Sequence, residues 1–335
     1  MESLPVDIVL YLLNYVNVRS IVLLLETSKN LLAICDRNDF KTMLISRLEY
    51  EGYIIPAKIN DIICRAKYYP PKRISCIRKH KLILILDYVV YFVELNIRGD
   101  LISYREELGI DIIQILSYGT IDVQLDNDGR VILPYRETLC HNIINISDYG
   151  QQCLFTNNKG RNFMINNNKL TELEVMKDTI QKEQNLYLNR NGTIYLENKD
   201  NNIKLDNVIQ LTNNRYALTL DDSIYKITHG GNATKANIDI KDIKQIEALG
   251  LYSGVVILTQ SGSIYYYYHC GAEKQETISE EIKLKGIKIT EIRTYFNNYF
   301  DRNILYALSS DILYKVSPNY SKYYQESAIQ QLKLR

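Results

Sequence analysis

Four histidines, His80, His141, His229 and His269, and six cysteines, Cys35, Cys64, Cys76, Cys140, Cys153 and Cys270, are the residues of this 335-residue chain best suited to hold a metal or attack a substrate. Their spacing argues against both. No histidine stands at ligand spacing from a second His, Cys or carboxylate, and no C-x-x-C occurs. His269 and Cys270 are adjacent and mark a strand end. The sequence has no G-x-S-x-G, G-x-x-x-x-G-K-S/T or H-E-x-x-H, and so no nucleophile elbow, phosphate-binding loop or zinc-protease helix. Asp126-Asn127-Asp128-Gly129 has the flavour of a calcium loop. Counting Gly129 as its sixth position, however, puts Tyr135 where the bidentate Glu belongs. Gly230-Gly231 opens no helix that could bind phosphate. The expectation is a protein without catalysis, cofactor or metal, whose work is done by surfaces.

The charge balance narrows which surfaces. Lys+Arg 40 against Asp+Glu 39 leaves a net charge of +1, so no global field steers the chain to nucleic acid or membrane. From Arg65 to Lys81 there are seven basic residues and no acidic one. They are spread rather than clustered, which suits a solvated linker edge better than a nuclear import signal or acidic-partner contact. Irregular cysteine spacing points to free thiols in a reducing compartment. The N-terminus lacks a basic leader, and the apolar run Leu82–Val93 is short and carries Asp87. A cytoplasmic or nuclear location follows as the expectation. The sequons at Asn145, Asn191, Asn232 and Asn319 are coincidences of an Asn-rich chain. The 28 Tyr and the absence of Trp suit an AT-rich genome such as those of many large DNA viruses.

What must position any surface is a unit that returns seven times. In its cleanest copy Val208–Leu211 precedes Tyr216–Leu220, Asp221-Asp222 and Ser223–Ile227. Apolar and polar residues alternate across a tight turn, the pattern of a β-hairpin with a two-residue loop. The other hairpins centre on Leu82–Val93, Ile121–Leu133, Gln152–Ile165, Leu186–Leu196, Val255–Tyr267 and Leu305–Val316. An I-x-x-I strand leads most of them, as Ile243-Lys244-Gln245-Ile246 does. A further short strand often precedes that one, as in Ile203–Leu205, Ile238–Ile240 and Ile282–Leu284. Four strands in each of seven units describe a β-propeller over residues 74–335. Its first unit lacks a fourth strand of its own in this pattern, which Ile329–Leu334 at the C-terminus would supply, closing the ring.

Residues 1–48 carry a different pattern. Pro5 and Asp7 suit a helix start, Ile8, Leu12 and Val16 follow at helical spacing, a second helix can run over Val18–Leu25, and Ser28 and Asp39 cap two further short helices. Residues 49–73 form a linker with one possible helix. The run Leu4-Pro5-Val6-Asp7-Ile8, with Leu12, Tyr15-Val16, Leu24, Thr27-Ser28-Lys29, Leu31 and Phe40, resembles an F-box. The resemblance implies docking on a Skp-type adaptor, and through it a cullin, by Leu4, Pro5, Ile8, Leu12 and Val16. The repeat resembles that of the regulator of chromosome condensation, best at Ile243–Tyr265. The whole is then mainly β, a seven-bladed β-propeller preceded by a small all-α F-box-like helical module.

Such a chain reads as the substrate receptor of a cullin ubiquitin ligase, with an unidentified target protein on the propeller. The alternatives are a guanine-nucleotide-exchange or chromatin-binding propeller and a non-catalytic scaffold or virion protein. The most variable loops share one end of the sheets. Among them Arg293–Asn303 holds four aromatics and two arginines, the residue types that dominate binding hot spots. Tyr295, Tyr299 and Arg302 are the expected target contacts.

Overall fold

Alternating segments become strands, and strands must pair their backbone groups. The computed structural model describes residues 6–13 and 37–51 and, apart from some loops between strands, residues 74–334. Among the described residues, 28 strands form seven four-stranded antiparallel sheets, each from strands consecutive in the chain and hydrogen-bonded in chain order. The chain is mainly β and its fold is a seven-bladed propeller. Two compact units divide it. One comprises Met1–Arg73 and Gly109–Lys177, with both described helices and the second and third sheets; the other comprises Ile74–Leu108 and Asp178–Arg335, with the remaining five sheets.

Where the sequence pattern places a short strand ahead of the I-x-x-I segment, the sheet begins one strand later. The fifth runs Val208–Leu211, Tyr216–Thr219, Ile224–Ile227 and Ala233–Lys235, so the I-x-x-I segment is the first strand. The short strand expected at Ile203–Leu205 as the start of this unit is observed as Asn202–Ile203 and pairs instead with Ile194–Leu196, as the fourth strand of the preceding sheet. Ile238–Ile240 alternates without being a strand. Ile238 and Ile240 pack half-buried against the core of the fifth and sixth sheets, while Asp239 between them is exposed. Alternating burial without backbone pairing mimics a strand in sequence.

The C-terminal strand also differs from expectation. Ile329–Lys333 pairs with Ile312–Val316 and completes the seventh sheet, while the first sheet has its own fourth strand, Leu101–Leu108. Arg105, Glu106 and Glu107 on that strand are exposed and hide its character in the sequence. The last strand still reaches the first sheet. Gln330 accepts a hydrogen bond from Leu101 N–H at 2.9 Å and donates one to Leu101 C=O at 2.7 Å. Leu332 and Leu334 join the core shared by the first and seventh sheets.

The same device recurs between neighbouring first strands. Gln181 clasps the backbone of Leu211, Gln210 that of Ile246 and Gln245 that of Ile292, each accepting from N–H at 2.9–3.3 Å and donating to C=O at 2.7–2.8 Å. Gln114 holds Ile146 in the same two-bond manner. A β-bulge lies immediately before each of these four glutamines. Such bulges re-aim a side chain, here sideways toward the next sheet. In the seventh sheet Glu291 takes the place of the glutamine and accepts from Ile74 N–H at 3.2 Å.

In the first and seventh sheets the turn between second and third strands keeps the two-residue spacing the sequence suggests, Leu86 pairing with Val89 and Ser309 with Ile312, but in the second to sixth sheets it is a three-residue loop. In Asp126–Arg130, Gly129 N–H donates to Asp126 C=O at 3.1 Å and Asp126 N–H to Arg130 C=O at 3.0 Å. The last residue of the loop then has positive φ, as at Gly129, Gly192 and Gly262. At Gly262 there is a second demand. A Cβ there would lie 2.7 Å from Ile289 N and 3.0 Å from its O, because the turn abuts the next sheet's leading segment. Asp222 fills this position in the fifth sheet, and its carboxylate accepts from the N–H groups of Asp242 and Ile243 at 2.8 and 3.1 Å.

Of the four short helices expected before residue 49, two fall within the described residues, Val6–Leu13 and Asn38–Glu51. The segment between them lies outside. In the first helix Val9 and Leu13, one turn apart, are buried while Ile8 and Tyr11 are exposed. In the second, Phe40 and Leu44 are buried. Asp39 lies inside the first turn rather than capping it, with its carboxylate on the Arg37 guanidinium at 2.5 and 3.0 Å.

Candidate protein-interaction face

In an antiparallel four-stranded sheet, the loops joining strand one to two and three to four emerge at one end. Those joining two to three, and the links between sheets, emerge at the other. The first end carries the variable loops, and within the larger unit two clusters of polar side chains sit there.

One cluster lies where the first and seventh sheets meet. The turn Asn96–Asp100 places Gly99 with φ 72° against the seventh sheet, and Tyr306 donates its hydroxyl to Gly99 C=O at 2.8 Å. Burial pushes the Tyr306 phenol far above its ordinary range, with Tyr295 and Asp100 adding to the effect. The buried Lys315 ammonium is ion-paired with Asp100 and also donates to Arg98 C=O at 3.3 Å. Burial alone would raise the Asp100 carboxyl, but the hydrogen bonds from Lys315 and Asn96 outweigh it and hold the group below the ordinary carboxylate value. A folded-state pKa below the unfolded one gives stability that is complete above about pH 4 and disappears as pH falls through the lowered value. Asp100→Asn should therefore lower stability at pH 7 by about 1–2 kcal/mol, a moderate loss because Asp100 is partly exposed. It should also flatten the acid limb of the melting-temperature profile between about pH 5 and 3. Parallel profiles for the two proteins would refute the pairing as a stabilising contact.

Tyr295 belongs to this cluster, but not as a loop residue. The segment read from sequence as a long loop is a hairpin whose strands Glu291–Asn297 and Arg302–Ser309 pair as far as Asn297 with Arg302. Tyr295 is half-buried against the core of the first and seventh sheets. Arg302 opens the second strand; its side chain, like Tyr299, lies outside the described residues.

The second cluster was not anticipated. The one-to-two turn of the fifth sheet repeats the three-residue geometry, with Arg215 N–H donating to Thr212 C=O and Thr212 N–H to Tyr216 C=O at 3.0 and 2.9 Å. Arg215 therefore occupies the left-handed position, with φ 70°. Its side chain is held flat against the end of the sheet. Nη2 donates to Asn185 Oδ1 and Nη1 to His229 Nδ1, each at 2.7 Å. Arginine only donates, so Nδ1 accepts and the His229 proton sits on Nε2. Arg215 is 6 % exposed, and its Nε is buried with no acceptor. Burial lowers its pKa from the usual arginine value. The only sequence signal was an arginine at the position where three-residue turns between other strands mostly have glycine.

Elsewhere the described residues offer no group of three or more His, Cys, Asp or Glu able to hold a metal. Burial pushes the Cys140 thiol up to about 11. Within the Tyr265–Tyr268 run, Tyr266 buries its hydroxyl. No described helix is long and apolar enough to cross a membrane. Leu4, Pro5 and Val16 lie outside the described residues, as does the Leu12 side chain.

No protein-family model matches the chain, and no curated protein does either. Solved structures do match. BBS1N, determined in complex with ARL6DN, is similar at 15% identity with a TM-score of 0.51, over 76% of this chain and 94% of that one. Hsv2p of Kluyveromyces lactis is similar at 11% identity with a TM-score of 0.50, over 76% and 94%. At such identities the likeness is one of fold, and the fold is the propeller.

Proposed function

We propose that this chain is a substrate receptor of a cullin-type ubiquitin ligase, its N-terminal module docking a Skp-type adaptor and its propeller presenting a target protein. The observation that supports this reading is the division of the first helix. Val9 and Leu13 are buried inward, while Ile8 and Tyr11 stay 47% and 59% exposed, an apolar side turned outward on a helix that resembles an adaptor-docking one. A propeller of seven sheets supplies the rigid platform on which variable loops select a partner. Tethering the target beside a ubiquitin-loaded enzyme raises its effective concentration, so no catalytic group is needed on this chain. Tyr295, Tyr299 and Arg302 remain the proposed target contacts.

Capture of the full-length protein by immobilised Skp-type adaptor tests the reading. Leu4→Glu combined with Pro5→Glu, or Leu12→Asp alone, should weaken capture by about a hundredfold or more, since burying an unpaired charge at such an interface costs several kcal/mol. The propeller's melting should be unchanged. Undiminished capture by the double variant at parental melting temperature would end the F-box assignment.

A further inference from the structure

We propose that Arg215 anchors the propeller's partner by its carboxylate, an aspartate or glutamate side chain in an acidic segment, and that exposed His229 is the placeholder it displaces. The inference rests on the reading of this end of the sheets as the target-binding face.

The turn itself does not ask for arginine. At the same position of the three-residue turns that join second to third or third to fourth strands stand Gly99, Gly129, Gly160, Gly192, Gly231 and Gly262, and once the short Asp222, all with positive φ. Arg215 holds φ 70° there, a conformation that costs a side-chain-bearing residue about 1 kcal/mol or more. Nor does the environment ask for it. A buried guanidinium is ordinarily matched by a carboxylate, yet the hydrogen-bond partners of Arg215 are an amide oxygen and a neutral imidazole. Its Nε–H is buried without an acceptor. The free protein thus carries strain, an uncompensated charge and an orphaned donor at one residue, a combination that persists where binding supplies the missing group.

The missing group is a monoanion with two acceptor oxygens. Among the described residues no second cation joins the hydrogen-bonded cluster of Asn185, Arg215 and His229, so one negative charge balances the site and the two of a phosphate would not. A carboxylate also matches the planar fork of the guanidinium. Access runs through His229, which is exposed and followed by Gly230 and Gly231 in the turn. Moving that ring outward releases Nη1 without disturbing a strand.

Fluorescence polarisation with a labelled, acetylated and amidated hexaglutamate peptide, using the full chain at low salt, tests the proposal. The parent should bind, Arg215→Gly should bind at least about tenfold more weakly, and His229→Ala should bind about threefold more tightly. Arg215→Gly places in this turn the residue its siblings use, so its melting temperature should equal or exceed the parent's. A parent that does not bind the peptide, equal binding by Arg215→Gly, or a clearly lower melting temperature for that variant would each overturn the assignment, the last by making Arg215 a structural residue. Inorganic phosphate competing through Arg215 more strongly than the peptide would overturn the carboxylate. The adaptor-capture assay is independent. If it fails while peptide binding through Arg215 holds, the ligase reading falls and the anchor stands.

Discussion

Deleting Ile329–Arg335 lowers the melting temperature by about 8 °C or more, or abolishes soluble expression, although only the last seven residues of the 335 are removed. The expectation comes from where those residues lie. Ile329–Lys333 pairs along its whole length with Ile312–Val316, and its loss exposes that edge to intermolecular pairing. Leu334 is fully buried and Leu332 packs beside it in the core of the first and seventh sheets. The buried Leu334 contributes about 2 kcal/mol and the half-buried Leu332 less. Removing Gln330 leaves the N–H and C=O of Leu101 without their partner, at a further cost of about 1–3 kcal/mol. The strand belongs to the seventh sheet, yet the damage reaches the first. Thermal melting of the two proteins side by side decides the matter, and a truncated protein that melts with its parent would show the strand to be dispensable trim.

Gly262→Val destabilises the protein by about 3 kcal/mol or more, while Gly230→Ala in the same unit changes stability by less than about 0.5 kcal/mol. The two glycines differ in what surrounds them. A side chain at Gly262 meets the backbone of Ile289 at 2.7 Å and must adopt φ 91°. At Gly230 the nearest atom within reach is Thr228 Oγ1 at 3.8 Å, and no positive φ is required. The obstacle at Gly262 is main chain, which cannot turn aside as a flexible side chain could. Urea unfolding of the two variants against the parent measures both effects, and near-equal midpoints would contradict the close approach of turn to neighbouring sheet.

The propeller was legible because each hairpin buries one face and therefore alternates, and because the alternation returns seven times. What escaped the sequence reading escaped for local reasons. Leu101–Leu108 turns Ile102, Ser103 and Arg105–Glu107 to solvent and so shows no apolar stripe. Ile238–Ile240 shows one without pairing, because its isoleucines fill the core beside a link between sheets. Arg293–Asn303 looked like a loop because its aromatics and arginines obscured a hairpin in which Tyr295 faces Ile304 and Phe296 faces Asn303. For the binding face, Arg215 carried no motif. Only comparison with the glycines of sibling turns reveals it, and only burial shows that its charge is unanswered. The glutamine of the I-x-Q-I strand was plain in the sequence, but its partner lies in the next sheet and its task could not be seen within one repeat.

That glutamine has a consequence for how such a chain can change. Gln181, Gln210 and Gln245 grip only the N–H and C=O of the residue opposite, groups that every amino acid but proline provides. The joint between one sheet and the next is therefore indifferent to what side chain the neighbour bears there, and Leu211, Ile246 and Ile292 are held alike. A blade copied by gene duplication would arrive with its own latch and find a ready catch on whichever blade it met. Mutations could then accumulate in the loops and outer strands of each copy separately. Repeats that have drifted until they share little beyond a glutamine and a turn are what such a joint permits.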